Sequence, residues 1–134
     1  SPFNSYVGLK PIMDGKNPKI LITDEAHAMP VITVDKDGKL VNRQVEIKMY
    51  KMDWRWWFDN ADNDFTYFND NYRETVLSKT IQTTNGKGTF SFKINQPEWG
   101  RYLIRAIDKT SGHSTSTVVY IDWPGYGATS TQAN

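Results

Sequence analysis

Two histidines, His27 and His113, are the only imidazoles in the chain, which has no cysteine. Nucleophilic catalysis would require a serine activated by a histidine, with an acid that orients the ring. His113 lies in a Ser-Gly-His-Ser turn, and either Asp108 or Asp122 could pair with it. No motif marks a nucleophile or an oxyanion hole beside such a pair. We therefore predict that the chain has no catalytic residues and that His113 makes a local hydrogen bond in its turn.

An acidic loop is the second candidate for chemistry, because Ca²⁺ is bound by carboxylate and carbonyl oxygens. Counted from Asp62 as the first ligand, a helix-loop-helix calcium site needs glycine where Tyr67 stands and glutamate where Arg73 stands. A zinc site would need more ligands than two distant histidines and scattered carboxylates supply. The sequence thus predicts no metal and no cofactor, and the loop is interpreted as a solvated excursion between strands. Its aspartates are Asp59, Asp62, Asp64 and Asp70.

The densest aromatic run is Trp54-Arg55-Trp56-Trp57-Phe58. In a strand, Trp54 and Trp56 would point to one face, and we assign them to the core. Large aromatic side chains seldom face bulk water without a partner. The remaining side chains of the run are therefore predicted to contact a neighbouring domain. A platform on which sugar rings stack is the alternative for this run. The candidate contact residues are Arg55, Trp57, Phe58, Tyr67 and Phe68.

The composition limits what the chain can bind. It has 134 residues, 38% hydrophobic and 23% charged, and a formal net charge of +1. A chain this close to neutrality generates no field that attracts nucleic acid or anionic lipid, so neither is predicted as a partner. No apolar run is long enough to span a bilayer. Any membrane attachment is therefore expected through an anchor outside this sequence.

Short alternating segments separated by turn residues must position all of these side chains. Val45, Ile47 and Met49 alternate with Glu46 and Lys48, which is typical of a strand with one buried face. Turn residues such as Asn-Gly recur at close spacing, and helical periodicity is almost absent. The pattern predicts an all-β, antiparallel β-sandwich of seven to eight strands over residues 1–124, with a linker over 125–134. Predicted strands cover Tyr6–Leu9, Lys19–Thr23, Val31–Val34, Val45–Met52, Glu74–Thr84, Thr89–Ile94, Arg101–Asp108 and Ser114–Ile121.

Two stretches, Val45–Asp59 and Trp99–Trp123, carry a resemblance to a known family. The first ends a strand in a Trp-Arg-Trp-Trp run. The second joins a Trp-Gly-Arg-Tyr strand, a Ser-Gly-His turn and a strand that ends in Asp-Trp. In this order they resemble a macroglobulin-like domain from the central part of bacterial alpha-2-macroglobulins, around the sixth macroglobulin position. The resemblance implies a sandwich of macroglobulin or fibronectin type III type.

The resemblance also implies a role without catalysis. In this family, a protease cuts an exposed bait segment of the parent protein, and the shell of macroglobulin-like domains rearranges around it. Many members carry a Cys–Gln thioester in another domain, which this cysteine-free chain cannot hold. The implied partners are neighbouring macroglobulin-like domains of the same chain and, through the full-length parent, target proteases. The implied location is periplasmic or extracellular, at the cell envelope, with a lipoprotein parent; a carbohydrate-binding or adhesion module of a surface protein is the alternative.

Overall fold

A computed structural model describes residues 2–52 and 74–125, and strands dominate both ranges. Ten strands lie within these ranges, of which three have only two residues. In chain order they are β1 Ser5–Leu9, β2 Met13–Asp14, β3 Asn17–Pro18, β4 Leu21–Ile22, β5 His27–Asp35, β6 Gln44–Met52, β7 Glu74–Gln82, β8 Lys87–Phe92, β9 Gly100–Asp108 and β10 Ser114–Asp122.

The strands form two main sheets and a short hairpin. The smaller sheet has the order β1-β5-β8, the larger sheet has the order β4-β10-β9-β6-β7, and β2 pairs with β3. Every pairing is antiparallel except the two-residue contact of β4 with β10, which is parallel. The predicted all-β antiparallel sandwich is confirmed, with seven strands of five or more residues in the described ranges.

The predicted strand Lys19–Thr23 is reduced to Leu21–Ile22. The first residue of the predicted strand, Lys19, bonds outside the larger sheet. Its N–H donates to the Ile12 carbonyl at 2.9 Å, beside the β2–β3 hairpin. Pro18, one residue earlier, has no N–H to give to a sheet. Leu21 and Ile22 pair with β10, and the Thr23 N–H donates to the carbonyl of Asp122 at 2.8 Å.

The main core lies between the two sheets, and alternation decides which side chains enter it. Val45, Ile47 and Met49 of β6 are completely buried, as the alternating pattern predicts. Phe90 and Phe92 of β8 stack on each other from the smaller sheet, with ring centroids 5.4 Å apart. Fully burying one such side chain contributes about 1.5–3 kcal/mol. The remaining buried members of this core are Val7, Leu21, Met29, Val31, Ile94, Tyr102, Ile104, Ala106 and Ile121.

A second apolar cluster lies on the other face of the larger sheet. Tyr50 and Leu103 are register partners on β6 and β9, and Leu103 in turn pairs with Val118 of β10. Tyr50 is 1% exposed and Leu103 is 0% exposed. A strictly alternating sheet would leave this face to water. The outer face is therefore dry at this end, where Met52 joins the same cluster.

A two-residue turn, Asn85-Gly86, connects the two sheets. Both residues have positive φ, 54° and 74°, and Thr84 pairs with Lys87 across the turn. Asn-Gly suits this left-handed pair, which gives the predicted hairpin. Beyond the turn, however, the strands separate, because β7 belongs to the larger sheet and β8 to the smaller one. The turn therefore carries the chain across the sandwich.

Tyr102 ties the corner where β9 begins. Its ring is completely buried, and its hydroxyl donates to the carbonyl oxygen of Glu98. A tyrosine hydroxyl that bonds to backbone a few residues upstream is a recurrent lock in β-sandwiches. Tyr102 thus fixes the chain between Glu98 and the start of β9.

Removing only this hydroxyl should weaken the domain measurably. For Tyr102→Phe we expect a loss of about 1 kcal/mol in the free energy of unfolding, because the Glu98 carbonyl loses its partner. Urea denaturation monitored by tryptophan fluorescence would measure it. Tyr120→Phe is the matched control, since that ring is 37% exposed and should tolerate the change. Equal stability of the two variants would contradict the lock.

Candidate functional site

All five candidate contact residues from the aromatic run and the acidic loop lie outside the described residues. The aspartates of the acidic loop lie there as well. The contact assignment therefore stays a prediction. The residues concerned are Arg55, Trp57, Phe58, Tyr67 and Phe68.

A buried polar cluster is the most developed arrangement of charged groups in the described ranges. At its centre is Asp108, the last residue of β9, which is 0% exposed. Its Oδ2 accepts a hydrogen bond from Ser5 Oγ at 2.7 Å, and its Oδ1 accepts from the backbone N–H groups of Thr110 at 2.9 Å and Ser111 at 3.1 Å. Arg43 Nε donates to Ser5 Oγ at 3.1 Å and lies 3.9 Å from Asp108 Oδ1. The carboxylate thus joins the β9–β10 turn to β1 and to the segment before β6.

Two opposing effects act on the pKa of Asp108. Burial raises it, because a charged carboxylate loses hydration. Hydrogen bonds from Ser5 Oγ and from the Ser111 and Thr110 N–H groups favour the charged form and outweigh burial. The pKa of Asp108 therefore lies below its ordinary value of 3.8. The carboxylate is charged at neutral pH and acts as an acceptor for the turn.

His113 adds a second tie between the same elements. Its Nδ1 accepts a hydrogen bond from the Val7 N–H at 3.1 Å, across 106 residues of sequence. Its ring meets Tyr6 and Phe3 edge-on, with centroids 4.7 Å and 5.2 Å away. His113 makes the predicted hydrogen bonds within its turn through its backbone, whereas its ring bonds to the distant Val7 N–H. The His113 N–H donates to Ser111 Oγ at 3.1 Å, and its carbonyl accepts from the Asp108 N–H at 2.8 Å.

Ser5, His113 and Asp108 come together in space, but their hydrogen bonds do not form a catalytic triad. In a triad the serine donates to histidine and the acid holds the other ring nitrogen. Here Ser5 Oγ donates directly to the acid, and Nδ1 of His113 is occupied by a backbone amide. Ser5 is also 0% exposed, so no substrate carbonyl can reach it. The cluster holds elements together, and its Ser5 hydroxyl is not accessible to a substrate.

The other histidine is also structural. His27 is 7% exposed, its Nε2 lies 2.8 Å from the Ile22 carbonyl oxygen, and its ring packs beside Phe92. In the described part of the chain, no group of three or more His, Asp or Glu side chains is placed to hold a metal ion. In the same ranges, no helical segment has the length and hydrophobicity that crossing a bilayer requires.

Sequence reasoning had identified Asp108 and His113 but missed Ser5 and Arg43. Ser5 lies 103 residues from its acceptor, and no local motif accompanies it. The sequence signal for Arg43 is its position between two predicted strands. A cation in such a position can form a charge-assisted hydrogen bond with a buried acid. Neither residue belongs to a recognisable catalytic pattern.

The titration of His113 gives a pH dependence with a defined sign. Burial lowers the pKa of His113, and the charge of Asp108, which raises it, only partly offsets this effect. The folded chain therefore binds fewer protons than the unfolded chain, whose histidine titrates near 6.5. Stability should be fully present above that pH and should fall as the pH drops below it.

Urea denaturation at pH 7.5 and pH 5.5 would measure this loss, which for one proton cannot exceed about 1.4 kcal/mol per pH unit. His113→Gln keeps a side chain that can accept a hydrogen bond but does not titrate, so it should lose less stability over the same interval. His27 is present in both proteins, and the difference between them isolates His113. Equal losses would contradict the assignment.

Two packed sheets, a tyrosine lock at one corner and a satisfied polar cluster at the other define an immunoglobulin-like β-sandwich domain whose polar groups serve the fold. The family model for bacterial macroglobulin domain 6 matches residues 8–123. The chain therefore belongs to this family of bacterial macroglobulin domains, in agreement with the resemblance to a domain around the sixth position.

Three solved structures show similarity to the chain. The native conformation of Escherichia coli alpha-2-macroglobulin matches with a TM-score of 0.56 at 12% identity, over 88% of this chain and 8% of that chain. The same E. coli protein activated by porcine elastase matches with a TM-score of 0.45 at 16% identity, over 90% and 11%. A β-glucosidase from Listeria innocua, solved with isofagomine, gives a TM-score of 0.43 at 11% identity, over 90% and 16%. No curated protein matches the sequence significantly.

Proposed function

We propose that this domain is a non-catalytic structural module of a bacterial alpha-2-macroglobulin-like inhibitor that traps proteases. Family membership supports the role as a structural module. The hydrogen bond from the buried Ser5 hydroxyl to Asp108 is the observation that supports a non-catalytic role. A nucleophile that donates to a buried acid, without contact with solvent, stabilises the fold instead of attacking a substrate. The work of such a module is to present faces and edges to the modules beside it.

The inhibitory activity belongs to the full-length parent. This chain spans 8% of the E. coli alpha-2-macroglobulin structure that it resembles, so trapping requires many other domains. We place the sandwich at residues 1–124 and a linker at 125–134. We place the parent in the periplasm or outside the cell, at the cell envelope, as a lipoprotein. Its partners are neighbouring macroglobulin-like domains and the proteases that it encloses.

Trapping by enclosure has a size-dependent signature that tests the proposal. The full-length parent would be mixed with an endopeptidase, and the cleavage of a large protein substrate and of a small chromogenic peptide would be compared. We expect the parent to suppress cleavage of the large substrate while the small peptide still reaches the protease. Heat-denatured parent is the control. Equal cleavage of the large substrate with and without native parent would contradict the proposed trapping role.

The isolated domain should hydrolyse nothing. A panel of ester, peptide and glycoside substrates would be incubated with the wild-type chain and with His113→Ala. We expect no turnover above buffer for either protein, because Nδ1 of His113 is occupied and Ser5 is buried. Turnover by the wild-type chain that is lost in His113→Ala would show that the domain is an enzyme and would contradict the proposed structural role.

A further inference from the structure

One surface of the domain exposes large apolar side chains that the fold does not explain. Four of them lie around the ends of β4, β9 and β10, and we call them the tryptophan patch. They are Ile20, Trp99, Tyr120 and Trp123, exposed by 56%, 48%, 37% and 46%.

The four side chains lie at the end of the larger sheet where β9 begins and β10 ends. Trp99 precedes β9 and Trp123 follows β10, and their ring centroids are 6.4 Å apart. Tyr120 is the register partner of Arg101, whose guanidinium lies over the tyrosine ring at 5.6 Å. Ile20 and Tyr120 line one shallow cavity of about 150 Å³, whose walls include Pro11, Ile12, Thr117 and Val118. The patch therefore contains an aromatic pair and, beside Tyr120, a shallow cavity.

Its composition is that of a protein interface. Trp, Tyr and Arg are the residues most enriched at energetically dominant contact positions, and such centres are surrounded by a polar rim. The Lys51–Glu98 ion pair, with its charged atoms 2.5 Å apart, supplies a rim group beside Trp99. The two tryptophan rings are inclined at 57° to each other and do not form one flat platform for a sugar chain. The geometry favours a protein surface as the occupant.

We infer that the tryptophan patch binds the protein domain that follows this one in the full-length chain, an inference that rests on the modular role proposed above. The chain passes directly from Asp122, the last residue of β10, to Trp123 in the patch. Whatever is attached after this point starts its path at the patch itself. A flexible linker such as the one proposed at residues 125–134 would hold the next domain at an effective concentration on the order of millimolar, so a small apolar surface suffices for binding.

Hydroxyl-radical footprinting with mass spectrometry tests the contact directly. The 134-residue chain would be compared with the same chain extended through the next domain encoded in its gene. We expect the oxidation rates of Trp99 and Trp123 to fall by roughly fivefold in the longer protein, as half-exposed rings become buried in an interface. Val76, 36% exposed on the opposite edge strand β7, is the internal control and should keep its rate. Unchanged oxidation of both tryptophans would overturn the inference.

Variants test whether the side chains hold the domains together. In the two-domain protein, Trp99→Ser combined with Trp123→Ser should restore the oxidation of Tyr120 to its rate in the single domain. Val76→Ser should leave the protection of Tyr120 intact. Both variants are made at exposed positions, and thermal unfolding of the single domain would verify that each one folds. Protection of Tyr120 that survives the double substitution would contradict the role of the tryptophans.

Other occupants give different results in the same assay. Protection that develops in the single domain as its concentration rises, with dimers in sedimentation, would assign the patch to a second copy and overturn the inference. Protection of the single domain by maltohexaose would assign it to a glycan, with the same consequence. If the protease-trapping assay fails while the patch stays protected, the proposed inhibitor role is contradicted and the inferred domain contact stands. If the parent traps proteases but the tryptophan patch is not protected in the two-domain protein, only the inferred domain contact is contradicted.

Discussion

Asp108→Ala is expected to lower the free energy of unfolding by about 3–5 kcal/mol, the range seen when one partner of a buried charged network is removed. The carboxylate receives bonds from Ser5 Oγ and from two backbone N–H groups. Alanine leaves all three donors without this acceptor, and the Ser5 hydroxyl among them is completely buried. It also leaves the charge of Arg43, 3.9 Å away, without its counter-ion.

A matched control is available in the chain. Asp35 also accepts two backbone N–H groups through one oxygen, from Asp37 at 2.9 Å and Lys39 at 3.0 Å. These bonds close an exposed turn, where water can replace the carboxylate. Asp35→Ala should therefore cost far less than Asp108→Ala, although both remove the same kind of interaction.

Chemical denaturation of both variants at pH 7.5 measures the difference. Repeating it towards pH 3 adds a second check, because the lowered pKa of Asp108 contributes stability above its ordinary value of 3.8 that is lost as the pH falls further. Wild type should weaken through this range more steeply than Asp108→Ala. A loss in Asp108→Ala no larger than in Asp35→Ala would show that the cluster is dispensable.

Local pattern was sufficient to predict most of the fold. The alternation of Val45, Ile47 and Met49 with charged residues identifies both the strand and its buried face, because a strand has a period of two. Asn85-Gly86 identifies a left-handed turn by residue type alone. Such signals lie within a few residues of one another. They predict strands and turns well, and they predict which face is dry.

Pairing between distant residues was beyond the same reasoning. The bond from Val7 to His113 joins residues 106 apart, and nothing near either one indicates the other. The hairpin at Gly86 was predicted, but not that its two strands join different sheets. The dry outer face around Leu103 also follows from tertiary packing, since alternation alone would place that side chain in water. Residue type can nominate an acid or a histidine, whereas its role depends on which partner the topology brings to it.

Gly86→Ala is expected to lower the free energy of unfolding by about 2–4 kcal/mol, from left-handed backbone strain together with overpacking. Gly86 has a φ of +74°, and a Cβ there would lie 2.7 Å from Leu40 Cβ and 2.9 Å from the Thr33 carbonyl oxygen. The turn cannot move aside, because the Gly86 N–H donates to Asn42 Oδ1 and its carbonyl accepts from the Thr33 N–H at 2.8 Å. Relief of the clash would break bonds that hold the crossing between the sheets.

Gly38→Ala separates the two contributions. Gly38 has a φ of +83° but nothing within 4 Å of an added Cβ, so only the backbone strain of about 1–2 kcal/mol should remain. Asparagine tolerates positive φ, and Gly38→Asn should therefore recover part of the loss while Gly86→Asn should not. Urea denaturation of the four variants gives the comparison. Equal losses for Gly38→Ala and Gly86→Ala would mean that Leu40 and Thr33 yield, and that close packing against the crossing turn contributes nothing to the stability of this sandwich.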